Sequence, residues 1–169
     1  MKNQTVTSAN TSINCSKLPA VYSKLDKLPE AELSAYDSIL DYGCGRYTSH
    51  IMRHTVRRGR WYLGMDKYNK PEHVNAAARR FSARLHPVAV CSNVLNVIDS
   101  DDTIRDVIRD IMSMTDRCYI TVYEGDKTGR GRYTAQDCYQ RNARLRDYAS
   151  LVPDCYNVRF VRGMMEITR

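Results

Sequence analysis

The sequence contains no uninterrupted apolar stretch long enough to cross a membrane, and its polar N-terminus lacks the apolar core of a signal peptide. These absences favour a soluble, intracellular protein, and we expect a cytoplasmic location. The six cysteines are widely scattered and include no C-x-x-C pair, so we expect reduced thiols rather than a disulfide framework. The four histidines also lack metal-ligand spacing, and no metal site is predicted.

The composition is ordinary for one globular domain. The chain has 169 residues, of which 43% are hydrophobic and 27% charged. Residues 1–16 are rich in Ser, Thr and Asn without periodicity, so we expect a flexible tail there and a single domain over residues 17–169. The net charge of +7 favours polyanionic partners, although a solvated helix face would produce the same excess.

The most informative stretch is I-L-D-Y-G-C-G at residues 39–45. The apolar run predicts a buried strand, and the two glycines predict a tight turn at which the main chain can approach a ligand closely. A second apolar run at residues 61–65 ends in Asp66, whose carboxylate could accept hydrogen bonds from ribose hydroxyls. The pattern predicts a nucleotide-type site, and a purely structural glycine turn is the alternative.

The spacing around this turn distinguishes two families of nucleotide sites. A dinucleotide fingerprint, G-x-G-x-x-G, requires glycine where this chain has Thr48. The acid two residues before the first glycine, D-Y-G-C-G, instead resembles motif I of class I S-adenosylmethionine (SAM) dependent methyltransferases, D/E-x-G-x-G-x-G, with Tyr47 in place of the third glycine. The resemblance implies that Asp41 lies near the cationic methionine end of SAM and that Asp66 binds the ribose.

The resemblance extends over residues 39–123. D-Y-G-C-G is followed by G-M-D-K-Y-N at 64–69 and by C-S-N-V-L-N-V-I at 91–98, before an acid-capped helix. This order is similar to a subgroup of small methyltransferases found with DNA-modification systems and in bacteriophages. Only about twenty residues separate Asp66 from Val88, so we expect the family's usual third strand, with its adenine-binding acid, to be missing or shortened. The cofactor-binding residues that the resemblance implies are Asp41, Gly43, Cys44, Gly45, Asp66, Lys67, Ser92 and Asn93.

These features predict an α/β fold. We expect a Rossmann-like, mostly parallel sheet with flanking helices, a reduced class I methyltransferase fold that ends in an antiparallel hairpin. Strands are predicted at 88–91 and 119–123, and the hairpin turns at Arg162-Gly163. Helices are predicted over 18–33, over 72–85 and after Ser100, and the T-A-Q-D sequence at 134–137 predicts a further helix through its resemblance to a capping box.

The methyl acceptor is not specified by any familiar motif. DNA amino-methyltransferases carry Asn/Asp-Pro-Pro-Tyr/Phe and cytosine-C5 enzymes carry Pro-Cys, and the sequence contains neither. Residues at the carboxyl ends of parallel strands are the usual ligand contacts, so Asn93, Tyr123 and Glu124 are the catalytic candidates. Arginine suits forked contacts with phosphate, and DNA or RNA is therefore a candidate acceptor. The substrate-binding candidates are Asp126, Arg130, Arg132, Arg141 and Arg144.

Three functions are compatible with the sequence. The first is methyl transfer from SAM to an acceptor that the sequence does not identify, with nucleic acid among the candidates. The second is SAM binding without transfer, as in a SAM-degrading enzyme or a sensor. The third is a basic nucleic-acid-binding module with a relict cofactor fold. Binding of SAM separates the third from the others, and transfer of a labelled methyl group separates the first two.

Overall fold

A computed structural model describes residues 17–135 and 138–169, so the tail predicted at 1–16 lies outside the described residues. The helices are α1 Ala20–Leu25, α2 Glu30–Leu33, α3 Ser49–Val56, α4 Glu72–Leu85 and α5 Asp101–Met114. The strands are β1 Ser38–Tyr42, β2 Trp61–Met65, β3 Val88–Ser92, β4 Arg117–Thr121, β5 Gly131–Ala135, β6 Cys138–Arg141, β7 Asn157–Val161 and β8 Met164–Thr168. Two 3₁₀ segments lie at Leu95–Val97 and Leu145–Leu151. No helix in these ranges is long and apolar enough to cross a membrane.

Six strands form one mixed sheet in the order β2-β1-β3-β4-β8-β7. The first four are parallel, while β8 pairs antiparallel with both β4 and β7. The predicted Rossmann-like sheet with a C-terminal antiparallel hairpin is confirmed. Arg162 (φ 48°) and Gly163 (φ 68°) form the predicted two-residue turn. Both have positive φ, as the two central positions of a tight hairpin turn require.

Strands β1, β3 and β4 are buried on both faces, which explains why they read as continuous apolar runs. Leu40, Cys91 and Cys118 face the side covered by α5, whereas Ile39 and Tyr119 face the side covered by α1. The helix predicted after Ser100 is present as α5, and the Ser100 hydroxyl accepts a hydrogen bond from the Thr103 amide at 3.2 Å as its N-cap. The sheet is therefore the central layer between two hydrophobic clusters.

The helix predicted from residue 134 onward is wrong. The chain forms the β5–β6 hairpin there instead, while Gln136 and Asp137 of the supposed capping box lie outside the described residues. The Tyr133 and Tyr139 rings meet edge to face with centroids 5.4 Å apart. A Cβ on Gly131 would collide with the Tyr139 hydroxyl, so a larger residue at that position would require the Tyr139 ring to move. Cross-strand contacts of this kind override a local helix signal.

Two smaller points concern element boundaries, and only the first differs from the prediction. The strand predicted at 119–123 runs from Arg117 to Thr121, so Tyr123 lies in the loop beyond it. The helical region predicted over 18–33 is present as α1 and α2, and Pro19 and Pro29, which limit the length of any one helix there, each precede the first residue of one of them.

The expected loss of the family's third strand is confirmed. After β2 the chain passes through α4 and enters β3, which pairs with β1 on its other side. Within the described part of the chain, β2 is therefore the last strand on its side of the sheet.

Candidate functional site

The order in which the chain adds strands to the sheet reverses at β1. The chain leaves β1 toward β2 on one side and returns as β3 on the other, so the carboxyl ends of β1 and β3 flank a topological switch point. Ligands in open α/β sheets bind in the crevice at such points. The glycine turn, defined here as residues 43–45, follows β1, and Ser92 and Asn93 lie at the end of β3. The fold therefore brings the main candidate cofactor residues to one edge.

The glycine turn is tied to the end of β2 through its backbone. The amides of Gly43 and Cys44 donate to the Met65 carbonyl at 2.7 and 3.1 Å, and the Gly45 amide donates to Asp66 Oδ2 at 2.9 Å. Gly43 (φ 76°) and Gly45 (φ 73°) both adopt the left-handed conformation that favours glycine. Burial raises the pKa of Cys44 to about 12, so its thiol stays protonated and unreactive at neutral pH.

Asp41 is a buried carboxyl at the centre of the site, with 3% of its surface exposed. The Tyr62 hydroxyl donates to Asp41 Oδ2 at 2.9 Å. The pKa of Asp41 is raised to about 6, mainly by burial and also by the nearby charge of Asp66, while the hydrogen bond from Tyr62 and the charge of Lys70 oppose the shift. A buried carboxyl whose ionisation is this costly gains most from a cationic ligand, because the ligand's charge would stabilise the carboxylate.

Asp66 is largely used to hold its own loop. Its Oδ1 accepts from the amides of Tyr68 and Asn69, both at 2.8 Å, and Oδ2 accepts from the Gly45 amide. Asn75 of α4 fixes the Asp66 backbone, since it accepts from the Asp66 amide at 2.9 Å and donates to the Asp66 carbonyl at 3.1 Å. A carboxylate offers about four acceptor positions, so Oδ2 is the oxygen left for a further hydrogen bond.

Lys70, and not Lys67, contacts the residues that follow the glycine turn. Lys67 is exposed, and its ammonium lies 5.7 Å from the centroid of the Tyr68 ring. Lys70 Nζ lies 3.3 Å from both the Arg46 carbonyl and the Thr48 hydroxyl, directly after the glycine turn. Sequence reasoning missed Lys70 and Asn75, because no local pattern shows that the loop after Asp66 folds back toward residues 46–48.

Ser92 and Asn93 join the cofactor side of the site to β4. The Thr121 hydroxyl donates to Ser92 Oγ at 3.1 Å, and the Asn93 amide donates to the Thr121 carbonyl at 2.9 Å. Asn93 has φ 57°, a left-handed conformation that asparagine tolerates better than most residues, and it is exposed. Its side chain is thus presented between the ends of β3 and β4.

The acidic candidates beyond β4 are engaged in loop structure. Glu124 accepts from the Leu145 amide at 2.7 Å and pairs with Lys127 at 3.2 Å, and the Leu145 amide is the main reason that the pKa of Glu124 is lowered. Asp126 accepts from the amide and hydroxyl of Thr128, which lower its pKa. Both carboxylates are therefore weak bases. The third candidate in this region, Tyr123, has 63% of its surface exposed.

The candidate arginines divide into two groups. Arg130, Arg132 and Arg144 are exposed. Arg141 is different, because only 17% of its side chain is exposed, its guanidinium pairs with Asp101 and it lies 5.9 Å from the Tyr148 ring centroid. The structure therefore gives Arg141 internal partners, and leaves the other three facing solvent.

An open cavity of about 400 Å³ lies at the carboxyl end of β4. It is lined by Lys24, Thr121, Val122, Tyr123, Glu124, Gly125, Lys127, Leu145 and Gly163. Since Thr121 also bonds to Ser92 and Asn93, the cavity adjoins the switch point. No group of three or more His, Cys, Asp or Glu side chains suited to a metal ion occurs within residues 17–135 and 138–169.

Comparison with known proteins shows the fold. No family model and no curated protein matches the sequence. The crystal structure of DesVI from Streptomyces venezuelae is similar, with a TM-score of 0.55 and 9% sequence identity over 88% of this chain and 90% of that chain. Together with the strand order, this similarity shows a reduced class I methyltransferase-like fold.

Proposed function

We propose that this chain binds SAM at the glycine turn and transfers its methyl group to an acceptor at the end of β4. One observation carries the proposal. A glycine turn with positive φ at both glycines lies between the buried Asp41 and the end of β2, at the switch point of a methyltransferase-like sheet. This is where open α/β sheets bind their ligands.

The residues present fit the chemical groups of SAM. Asp41 would offset the positive sulfonium, and Asp66 Oδ2 would accept a hydrogen bond from the ribose. Lys70 would hold the methionine carboxylate, since its ammonium contacts only neutral oxygens within hydrogen-bond distance in the described part of the chain. The adenine contacts stay unassigned, because the strand that would carry the family's adenine-binding acid is missing.

When bound, SAM supplies an activated methyl group together with its own leaving group. The chain's own side chains then have to align the acceptor and exclude water. Asn93 and Tyr123, at the ends of β3 and β4, are the exposed side chains that we propose for alignment. Glu124 and Asp126 hold their loops and are poor bases, so we propose an acceptor that needs little help in losing a proton.

Calorimetric titration with SAM and with S-adenosylhomocysteine tests the cofactor part of this proposal. Transfer of a radiolabelled methyl group to DNA, RNA, protein and small molecules tests the reaction. Absence of binding by both ligands would refute the proposed function and would favour a basic module with a relict cofactor fold.

SAM binding without transfer is the second candidate. It is favoured by the hydrogen bonds that Glu124 and Asp126 accept from backbone amides of their loops, which make both carboxylates poor catalytic bases. Chromatography of SAM after incubation distinguishes the cases. Breakdown products without labelled acceptor indicate a SAM-degrading enzyme, and intact SAM without labelled acceptor indicates a sensor.

Asp41→Asn should stabilise the free protein at neutral pH. The pKa of Asp41 is about 6 in the folded state, against about 3.9 in unfolded chains, so the folded state binds the proton more tightly and loses stability as pH rises from 4 to 6. Removing the charge should raise the free energy of unfolding by roughly 2 to 3 kcal/mol at pH 7 and by almost nothing at pH 4. Urea unfolding of both proteins across this range measures the difference.

Asp41→Asn should weaken the binding of SAM more than the binding of S-adenosylhomocysteine, because only SAM carries the sulfonium charge. In the wild type, SAM affinity should rise as pH passes about 6 and Asp41 ionises. Equal destabilisation by Asp41→Asn at pH 4 and pH 7 would contradict the assignment of the raised pKa to Asp41.

Lys70→Met should weaken SAM by roughly tenfold to 100-fold, the range expected for a charge-assisted hydrogen bond. It should leave the affinity for decarboxylated SAM unchanged, since that ligand lacks the carboxylate. Lys67→Met removes the same charge from a neighbouring exposed position and serves as the control. Calorimetry with both ligands checks this assignment, and an equal loss for the two ligands would rule it out.

A further inference from the structure

The β5–β6 hairpin is fixed beside the cavity by hydrogen bonds to three neighbouring segments. Asn96 Nδ2 donates to Gln140 Oε1 at 3.2 Å, and Gln140 Nε2 donates to the Tyr123 carbonyl at 3.2 Å. The Tyr133 hydroxyl donates to Asp99 Oδ2 at 2.8 Å, so the hairpin is also tied to the loop that precedes α5. The hairpin and the loop after β4 therefore form one continuous surface.

Two large aromatic rings on this surface face solvent. Tyr123 is 63% exposed and Tyr133 is 58% exposed. The Tyr133 ring is held at its tip by Asp99 and at its edge by Tyr139, so it would lose little conformational freedom on contact with a flat ligand. Nucleobases stack on exposed aromatic rings of this kind.

Three arginines lie next to these rings along the chain, since Arg130 precedes β5, Arg132 is the neighbour of Tyr133 within β5 and Arg144 follows β6. Arg130, Arg132 and Arg144 are exposed and form no ion pair within 4.0 Å among the described residues. The arginines of α5 contrast with them, since Arg105 pairs with Asp102 and Arg109 with Asp106, each at 3.0 Å. The nearby acids Asp99, Glu124 and Asp126 accept hydrogen bonds from Tyr133, from the Leu145 amide and from Thr128, so they reduce the net positive charge without forming ion pairs with these three arginines.

We infer that this surface binds single-stranded nucleic acid, with bases against Tyr123 and Tyr133 and phosphates against Arg130, Arg132 and Arg144. A single strand exposes the base faces that a duplex hides, and arginine binds phosphate through its fork of N–H donors. The adjoining cavity of about 400 Å³ offers room for a base beside the switch point. The strand becomes the methyl acceptor only if the proposed function holds, whereas binding itself does not require SAM.

Fluorescence anisotropy with labelled 12-nucleotide single strands of DNA and RNA, and with a DNA duplex, tests this inference without SAM. We expect single strands to bind more tightly than duplex at low salt. Arg130→Gln with Arg132→Gln should reduce the slope of log affinity against log salt by about 1.4, since each phosphate contact contributes about 0.7 for single strands. Tyr123→Ala with Tyr133→Ala should weaken binding roughly fivefold or more per ring, with the salt slope unchanged.

Two matched controls address net charge and folding. Arg105→Gln with Arg109→Gln removes the same charge from α5, and Phe81→Ala removes a 45% exposed aromatic ring from α4. Both controls should bind like the wild type. The inference is overturned if the two arginine pairs behave alike, if duplex or polyglutamate binds as tightly as single strands, or if no strand binds at low salt. Loss of SAM binding with strand binding intact would refute only the proposed function.

Discussion

Gly45→Val should weaken SAM binding by roughly 100-fold or more while the protein remains folded. Gly45 has φ 73°, a conformation that costs a residue with a Cβ about 1 to 2 kcal/mol, and its amide donates to Asp66 Oδ2. A valine would shift the turn, break this hydrogen bond and place a branched side chain where the backbone has to approach the ligand. Calorimetry gives the affinity, and circular dichroism gives the folded state.

Gly59 provides the matched control for this change. It has φ 71°, and a Cβ added there would meet no atom within 4 Å. Gly59→Val therefore introduces the same backbone strain and the same volume away from the site, and it should lower the melting temperature without changing SAM affinity. If both variants lose stability but retain SAM binding equally well, the glycine turn is structural and our placement of SAM is wrong. The milder pair Gly45→Ala and Gly59→Ala repeats the comparison if valine prevents folding.

Glu166→Ala should lower the free energy of unfolding by about 3 to 5 kcal/mol, the range measured when one partner of a buried ion pair is removed. Glu166 lies on β8 with 1% of its surface exposed, and it pairs with Arg117 at 3.4 Å and with Arg159. Its removal would leave the Arg117 guanidinium, on β4, without its carboxylate in a mostly buried position. Such a loss is a large fraction of the stability of a typical domain, and urea unfolding measures it.

Arg159→Ala is the control for this prediction. The Arg159 side chain is 56% exposed and also reaches Glu32 at 2.8 Å, so its loss should cost about 1 kcal/mol or less. Glu166→Gln keeps the shape of the side chain and should fall between the two variants. Equal losses for Glu166→Ala and Arg159→Ala would show that burial of the carboxylate adds nothing to the pair.

The sequence predicted those parts of the fold in which local pattern and tertiary environment agree. Strands β1, β3 and β4 are buried on both faces and therefore consist of apolar runs, and α5 carries both a serine cap and a helical period. The helix predicted from residue 134 onward is wrong because Thr and Asp favour helix caps and turns alike. The contact of Gln140 with Asn96, across 44 residues, helps to decide between them.

The site was predictable in outline but not in its polar detail. The glycines and the two acids show where the sheet switches direction, since that depends on strand order and on residue type. Hydrogen-bond partners depend instead on how loops fold in space. For this reason the sequence does not show that Lys70 reaches the Arg46 carbonyl or that Glu124 accepts a hydrogen bond from the Leu145 amide.

The margin of the sheet at β2 also has a consequence for how such a fold changes over evolutionary time. A strand at the margin has a neighbour on one side only, so a strand–helix unit beyond β2 can be gained or deleted without altering the register of β1 with β3. Because the switch point lies one strand inward, a single insertion or deletion between Asp66 and Val88 would change the size of the protein while the glycine turn is inherited intact.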